Sequence, residues 1–182
     1  MAEESAREPV SGQRPKLPVL FIHDAAIDDF IATMLLVAMP NVDLKGIVIA
    51  DADCIPQPGI DAANRLQQFI GRPDIPLALS ESRGWNPFPW EYREDCEKFG
   101  ELAILKPYRS TVVTPPPSGD RLVAGLLEQA VATGQKLVVL LTTGFTPLTD
   151  VLRDRPGLRR SPTSMPNGTC SGIRSQPRAG ST

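Results

Sequence analysis

Short apolar runs of strand length alternate along the chain with segments whose apolar residues recur at helical spacing. LPVLFI, Leu17 to Ile22, is the first run and predicts a buried strand. After an acidic turn, Phe30, Ile31, Met34, Leu35, Val37 and Ala38 recur as a helix would place them, and Pro40 supplies a stop signal. VDLKGIVIA, Val42 to Ala50, predicts a second strand, again followed by acid, Asp51 and Asp53. Ile60, Ala63, Leu66, Phe69 and Ile70 then predict a helix from about Gln57 to Ile70, ended by Gly71. IPLALS, from Ile75, reads as a third strand, followed by an aromatic, proline-rich loop over residues 82–92 and a poorly patterned stretch over 93–119. A helix near Arg121 to Ala132, the strand KLVVLL, Lys136 to Leu141, a Thr/Gly turn and a short helix near Pro147 to Arg153 complete the pattern.

Such alternation predicts an α/β fold, a mostly parallel, Rossmann-like sheet flanked by helices. In sheets of this kind ligands collect at the C-terminal strand ends, where both acidic clusters fall. The ends of the chain break the pattern. Residues 1–16 are polar and predict a disordered leader, and residues 17–155 make up the patterned domain. From Pro156 to Thr182 there is no Asp or Glu and no periodicity, which predicts a disordered tail or a change of reading frame near Arg155.

A chain of 182 residues with 41% hydrophobic content has material for one core, so one domain is expected. A formal net charge of -2 argues against a nucleic-acid binder working through bulk electrostatics and favours small-molecule chemistry. Cys54, Cys96 and Cys170 are an odd number at wide spacing, which suits neither a disulfide framework nor a zinc site and predicts a reducing compartment. No signal-like segment and no run of about 18 apolar residues occurs, so the expectation is a soluble, cytoplasmic chain without membrane contact. A homo-oligomer is left open.

FIHDAAIDDF holds the densest chemistry, with Asp24, Asp28 and Asp29 between two apolar segments. Asp28 is placed to cap the following helix. One cap needs one aspartate, and converging acids repel unless a cation, a shared proton or solvent relieves them. A hard divalent cation, calcium or magnesium, fits oxygen ligands best. His23, the single histidine, is expected to be structural. Trp85, Asn86, Trp90 and Tyr92 could stack on a nucleobase or pack onto their own domain. Cys54 reads as a small buried apolar residue.

LFIHDAAIDDFIATMLL resembles the N-terminal signature of the inosine/uridine-preferring nucleoside hydrolases, D-x-D-P-G-x-D-D followed by an apolar helix. MPNVDLKGIVIADADC falls where that family has its second strand, GRPDIPLALS resembles the next strand entry, and LLTTGFTPLTDVL resembles the family's T-G-P-L-T-N turn and helix. HDAAIDD, ADADC and SRGWNPFP together look most like a divergent branch. The resemblance implies calcium-dependent hydrolysis of the N-glycosidic bond of ribonucleosides. It also implies roles for single residues. Asp24 falls on the aspartate that binds calcium and activates water, Asp29 on a calcium ligand, and Asp28 on the acceptor of a ribose hydroxyl. Thr143 falls on the threonine whose backbone carbonyl joins the metal shell. Asp53 stands where the family has an asparagine contacting the sugar or the metal-bound water.

The sequence also departs from the signature. Ile22 replaces the first signature aspartate and Ala25-Ala26 replaces Pro-Gly, with Ala26 where a glycine's freedom is expected. Nothing resembles the family's C-terminal half, which implies a truncated version of the nucleoside hydrolase fold. The alternative is a catalytically inactive fragment. A magnesium-dependent phosphatase fits less well, because Asp24 is followed by Ala25 and Ala26 rather than by the Asp and Thr of that signature.

Overall fold

A computed structural model of the chain describes residues 15–83, 88–160 and 163–164. The expected leader falls almost wholly outside these, as do most of the expected tail, Trp85 and Asn86. The elements are β1 (Leu17–His23), α1 (Ile27–Ala38), β2 (Val42–Asp51), α2 (Pro56–Phe69), β3 (Leu77–Arg83), α3 (Trp90–Arg93), α4 (Asp95–Gly100), α5 (Gly119–Thr133), β4 (Leu137–Leu141), α6 (Thr146–Asp154), a 3-10 turn (Pro156–Arg160) and β5 (Thr163–Ser164). All pairings are parallel, in the order β3-β2-β1-β4-β5. The parallel α/β sheet expected from the alternation is therefore the architecture found.

β1 is the centre of the sheet, which explains its continuous apolar run: every residue from Val19 to His23 is buried. Its alternating side chains feed two cores. Val19 and Phe21 join Phe30, Ile60, Leu66 and Phe99 on one face, while Leu20 and Ile22 join Val123, Leu127, Leu148 and Val151 on the other. Helices α1, α2 and α4 cover the first face, and α5 and α6 the second. Because β1 pairs with β2 on one side and with β4 on the other, the direction of winding reverses beside it. This is the switch point at which loops part and leave a crevice.

Two expectations about the first turn are corrected. The N-cap of α1 is Ala26, and the cap side chain comes from Asp29 at the third helical position, whose carboxylate accepts the Ala26 N–H at 3.1 Å. Asp28, expected as the cap, is exposed in the first helical turn. The left-handed residue is Ala25, at φ 67°, while Ala26 is extended. Gly59 of α2 makes room for this turn, since a Cβ there would lie 2.7 Å from the Cβ of Ala25.

The helical periodicity of α1 is real, with Phe30 and Thr33 buried and Met34 and Val37 packed against the same core. Ile31 and Leu35 remain half-exposed. In the poorly patterned stretch the six-residue α4 buries Cys96 and Phe99, and Phe99 stacks on Phe30 with ring centroids 4.1 Å apart.

Candidate functional site

The acidic turn after β1 and the Thr/Gly turn after β4 meet at the switch point. β1 and β4 run in register from Val19 with Val138 to Ile22 with Leu141, and Thr142 N–H extends the ladder to the Ile22 carbonyl at 3.1 Å. This register carries Thr142 and Thr143 to the two central carboxylates. The Thr142 hydroxyl donates to Asp29 Oδ1, and Thr143 lies near enough to the Asp24 carboxyl group to favour its charged form.

Asp29 is buried and highly partnered. Its Oδ2 accepts the backbone N–H groups of Ala26 at 3.1 Å and Asp24 at 3.3 Å. His23 Nδ1 stands 3.4 Å from the same oxygen and accepts the Ala25 N–H at 3.1 Å. A nitrogen accepting that N–H cannot also donate to Asp29, so the two backbone amides and the Thr142 hydroxyl are the firm holders of its charge. Burial pushes the Asp29 carboxyl up, while the hydrogen bonds from the Thr142 hydroxyl and from Asp24 pull it down, and the balance lies below the usual carboxylate range.

Asp24 shows the opposite shift. Burial, then the Asp29 charge and the hydrogen bond to Asp29, raise it to about 7, against a smaller opposing contribution from Thr143. The two acids therefore behave as a pair sharing one proton near neutral pH. Asp53, in the turn after β2, is raised by partial burial and by the charges of Asp95, Asp29 and Asp28, with Arg93 opposing. Its Oδ1 is buried and has no hydrogen-bond partner among the described residues. A small cleft opens at the ends of β2, β3 and β4, lined by Asp51, Ser82, Arg83, Thr143 and Thr146 but by neither acid of the pair.

Of the residues singled out in the sequence, Asp24 and Asp29 are in direct contact, Thr143 stands near enough to Asp24 to favour its charged form, and Asp28 and Asp53 lie within electrostatic reach of one another. Among the described residues, no group of three or more His, Cys, Asp or Glu side chains is gathered as a metal cluster. Ile22, at the first signature position, points into the α5 and α6 core and away from the acids. Trp90 and Tyr92 are more than half exposed on α3. His23 is fully buried against Phe21 and Phe30, with Nε2 unpartnered among the described residues. Thr142 went unrecognised in the sequence. Its signal was available: two consecutive hydroxyl residues at a strand end that topology places beside an acidic turn.

An open parallel sheet flanked by helices, with paired acids at its switch point, defines the class, an α/β protein. No family model matches the chain. Nucleoside hydrolase 3 of Arabidopsis thaliana is 33% identical over 86 residues, which is 46% of this chain and 10% of that protein. The pyrimidine-specific ribonucleoside hydrolase RihA of Klebsiella pneumoniae is 26% identical over 137 residues, 74% of this chain and 41% of that protein. The solved inosine-uridine preferring nucleoside hydrolase of Bacillus anthracis superposes with a TM-score of 0.69 at 31% identity, over 80% of this chain and 48% of that one. These matches point to the nucleoside hydrolase family. The chain spans about half the length of the solved relative, and less of the curated ones. No helix among the described residues is long and apolar enough to cross a membrane.

Proposed function

We propose that this chain carries a calcium-dependent site for hydrolysing the N-glycosidic bond of ribonucleosides in the cytoplasm. The supporting observation is the contact between Asp24 and Asp29 at the switch point, with the Thr142 hydroxyl on Asp29 and Thr143 near Asp24. The donor set fits the ion: all its atoms are oxygen, and two carboxyl groups that share one proton form a position where a divalent charge can replace that proton. Asp24, Asp29 and the Thr143 carbonyl would hold it, and its chemistry is to lower the pKa of a coordinated water.

The side chains supply the remaining functions. Asp24 would take the proton from the attacking water. Asp28 and the unpartnered Oδ1 of Asp53 are acceptors for ribose hydroxyls, and orienting the sugar lowers the barrier by several kcal/mol. Water then bonds to the anomeric carbon, the carbon–nitrogen bond breaks, and the base leaves with a proton. A second reading, a chain that retains the acidic turn without turnover, draws on Ile22 pointing into the core and on the absence of a third carboxylate at the pair among the described residues.

Calorimetric titration of calcium into the purified chain, with Asp29→Ala as control, tests the first reading. Binding that is lost in the variant supports it, and release of free base from inosine or uridine then separates the two readings. No calcium binding to the parent chain would overturn the metal site.

A further inference from the structure

The spacing of the cysteines suggests no pair, but the fold makes one. Cys54 lies directly after Asp53 in the turn into α2, Cys96 lies in the first turn of α4, and both are free and fully buried. Cys54 Sγ faces the Tyr92 carbonyl at 3.6 Å, while Cys96 Sγ faces the Arg93 carbonyl at 3.5 Å and the Ile55 carbonyl at 3.6 Å. The Ile55 N–H donates to the Arg93 carbonyl at 3.3 Å, closing the same seam. The two thiols thus sit between the same two stretches of backbone, in one buried cluster, close enough to influence each other's ionisation. Thiols held in one buried seam can meet by side-chain rotation and a short approach to reach the S–S distance of about 2.05 Å.

We propose that Cys54 and Cys96 are a disulfide-forming pair that a hydroperoxide closes, stapling the turn that carries Asp53 to α4. Access comes through α3, a four-residue helix that buries none of its side chains and whose Trp90 and Tyr92 stand more than half exposed over the seam. A cover of that kind opens locally at low cost. In the first step one sulfur attacks the peroxide, an S–O bond forms, the O–O bond breaks and water or an alcohol leaves. In the second step the other sulfur attacks the sulfenic acid, the S–S bond forms, the S–O bond breaks and water leaves. Two thiols lose two electrons, the peroxide gains them, and both thiol protons end in the departing molecules.

The bond would reach the acidic turn through one further contact. Cys54 N–H donates to the Asp24 carbonyl at 3.1 Å, so the stapled turn is the one that supports Asp24. This inference does not depend on the proposed hydrolase activity.

The test uses the full chain with Cys170→Ser, leaving Cys54 and Cys96 as the remaining two of three cysteines. After hydrogen peroxide, unfolding and alkylation, peptide mapping should find a pair of peptides joined through Cys54 and Cys96 and released by dithiothreitol. The thermal midpoint should rise by roughly 5 °C or more as the cross-link restricts the unfolded chain. Adding Cys96→Ser should remove both effects. Two fully alkylated cysteines after peroxide, or sulfinic acid at either position without a joined peptide, would overturn the proposal, and both readouts need no cysteine variant of the pair.

Discussion

Two strand-end turns share one sequence pattern, an apolar strand followed by aspartates, yet they dispose of their charge differently. After β1, Asp29 is held by backbone amides and the Thr142 hydroxyl, and Asp24 beside it is held by a proton. After β2, Asp51 is held by guanidinium groups, Arg93 Nη2 at 3.1 Å and Arg83 Nε at 3.2 Å. Arg93 also donates to the Ala52 carbonyl at 3.1 Å, which leaves Asp53 as the acid with a free oxygen among the described residues. The difference is one of kind. A turn satisfied by a fixed cation is already neutralised, whereas a turn satisfied by dipoles and one proton leaves room for the cation proposed above.

Removing the Asp29 side chain tests this contrast most severely. Asp29→Ala strands two buried amides and a hydroxyl, so denaturant unfolding should show a loss of about 3–5 kcal/mol, together with the loss of calcium binding. The next effect in size is one of pH. A carboxyl raised from 3.8 to about 7 keeps, when folded, a proton that the unfolded chain releases. Its stabilisation is therefore complete below 3.8 and lost as pH rises toward about 7, by at most about 4 kcal/mol. Asp29, held below 3.8, adds stability of the opposite sign, lost only as pH falls through its lowered value. Melting curves of the calcium-free chain should thus decline between pH 4 and 7, and Asp24→Asn should flatten the decline.

Gly59→Ala forces a Cβ to 2.7 Å from that of Ala25 and should cost about 1–3 kcal/mol, weakening calcium binding without disturbing the Asp51 pairs. The two arginines of the second turn give the smallest effects. Arg93 is mostly buried and Arg83 is 82% exposed, so Arg93→Ala should cost about 1–2 kcal/mol and Arg83→Ala less than about 0.5 by the same denaturant measurement. Equal losses from both would erase the distinction between a buried grip and a solvated one.

Much of the sheet was legible because β1, β2 and β4 are long enough and apolar enough to declare themselves, whereas their order was not, since β4 follows β3 in sequence yet pairs with β1 after a long crossover. The acids were legible as well, since charge concentrated at strand ends needs a reason. What escaped was contact across the chain. Thr142 differs from Thr143 only in which carboxyl it faces, and that depends on the register between β1 and β4. α4 has six residues, too few for a 3.6-residue period to register, so the burial of Cys96 left no trace in the pattern. Arg93 grips a carboxylate 42 positions away, and Ala25 takes the left-handed conformation that a glycine expected at Ala26 would otherwise have signalled.

The bond from Thr142 to Asp29 spans 113 positions of sequence. At the synthesis rates of living cells, about 5–20 residues per second, Asp29 leaves the ribosome about 6–23 s before the hydroxyl that completes its shell. For that interval one edge of the central strand is open and the first acidic turn is unfinished. The candidate site is therefore assembled late in biosynthesis, and a nascent chain halted before Thr142 has the acids without the geometry.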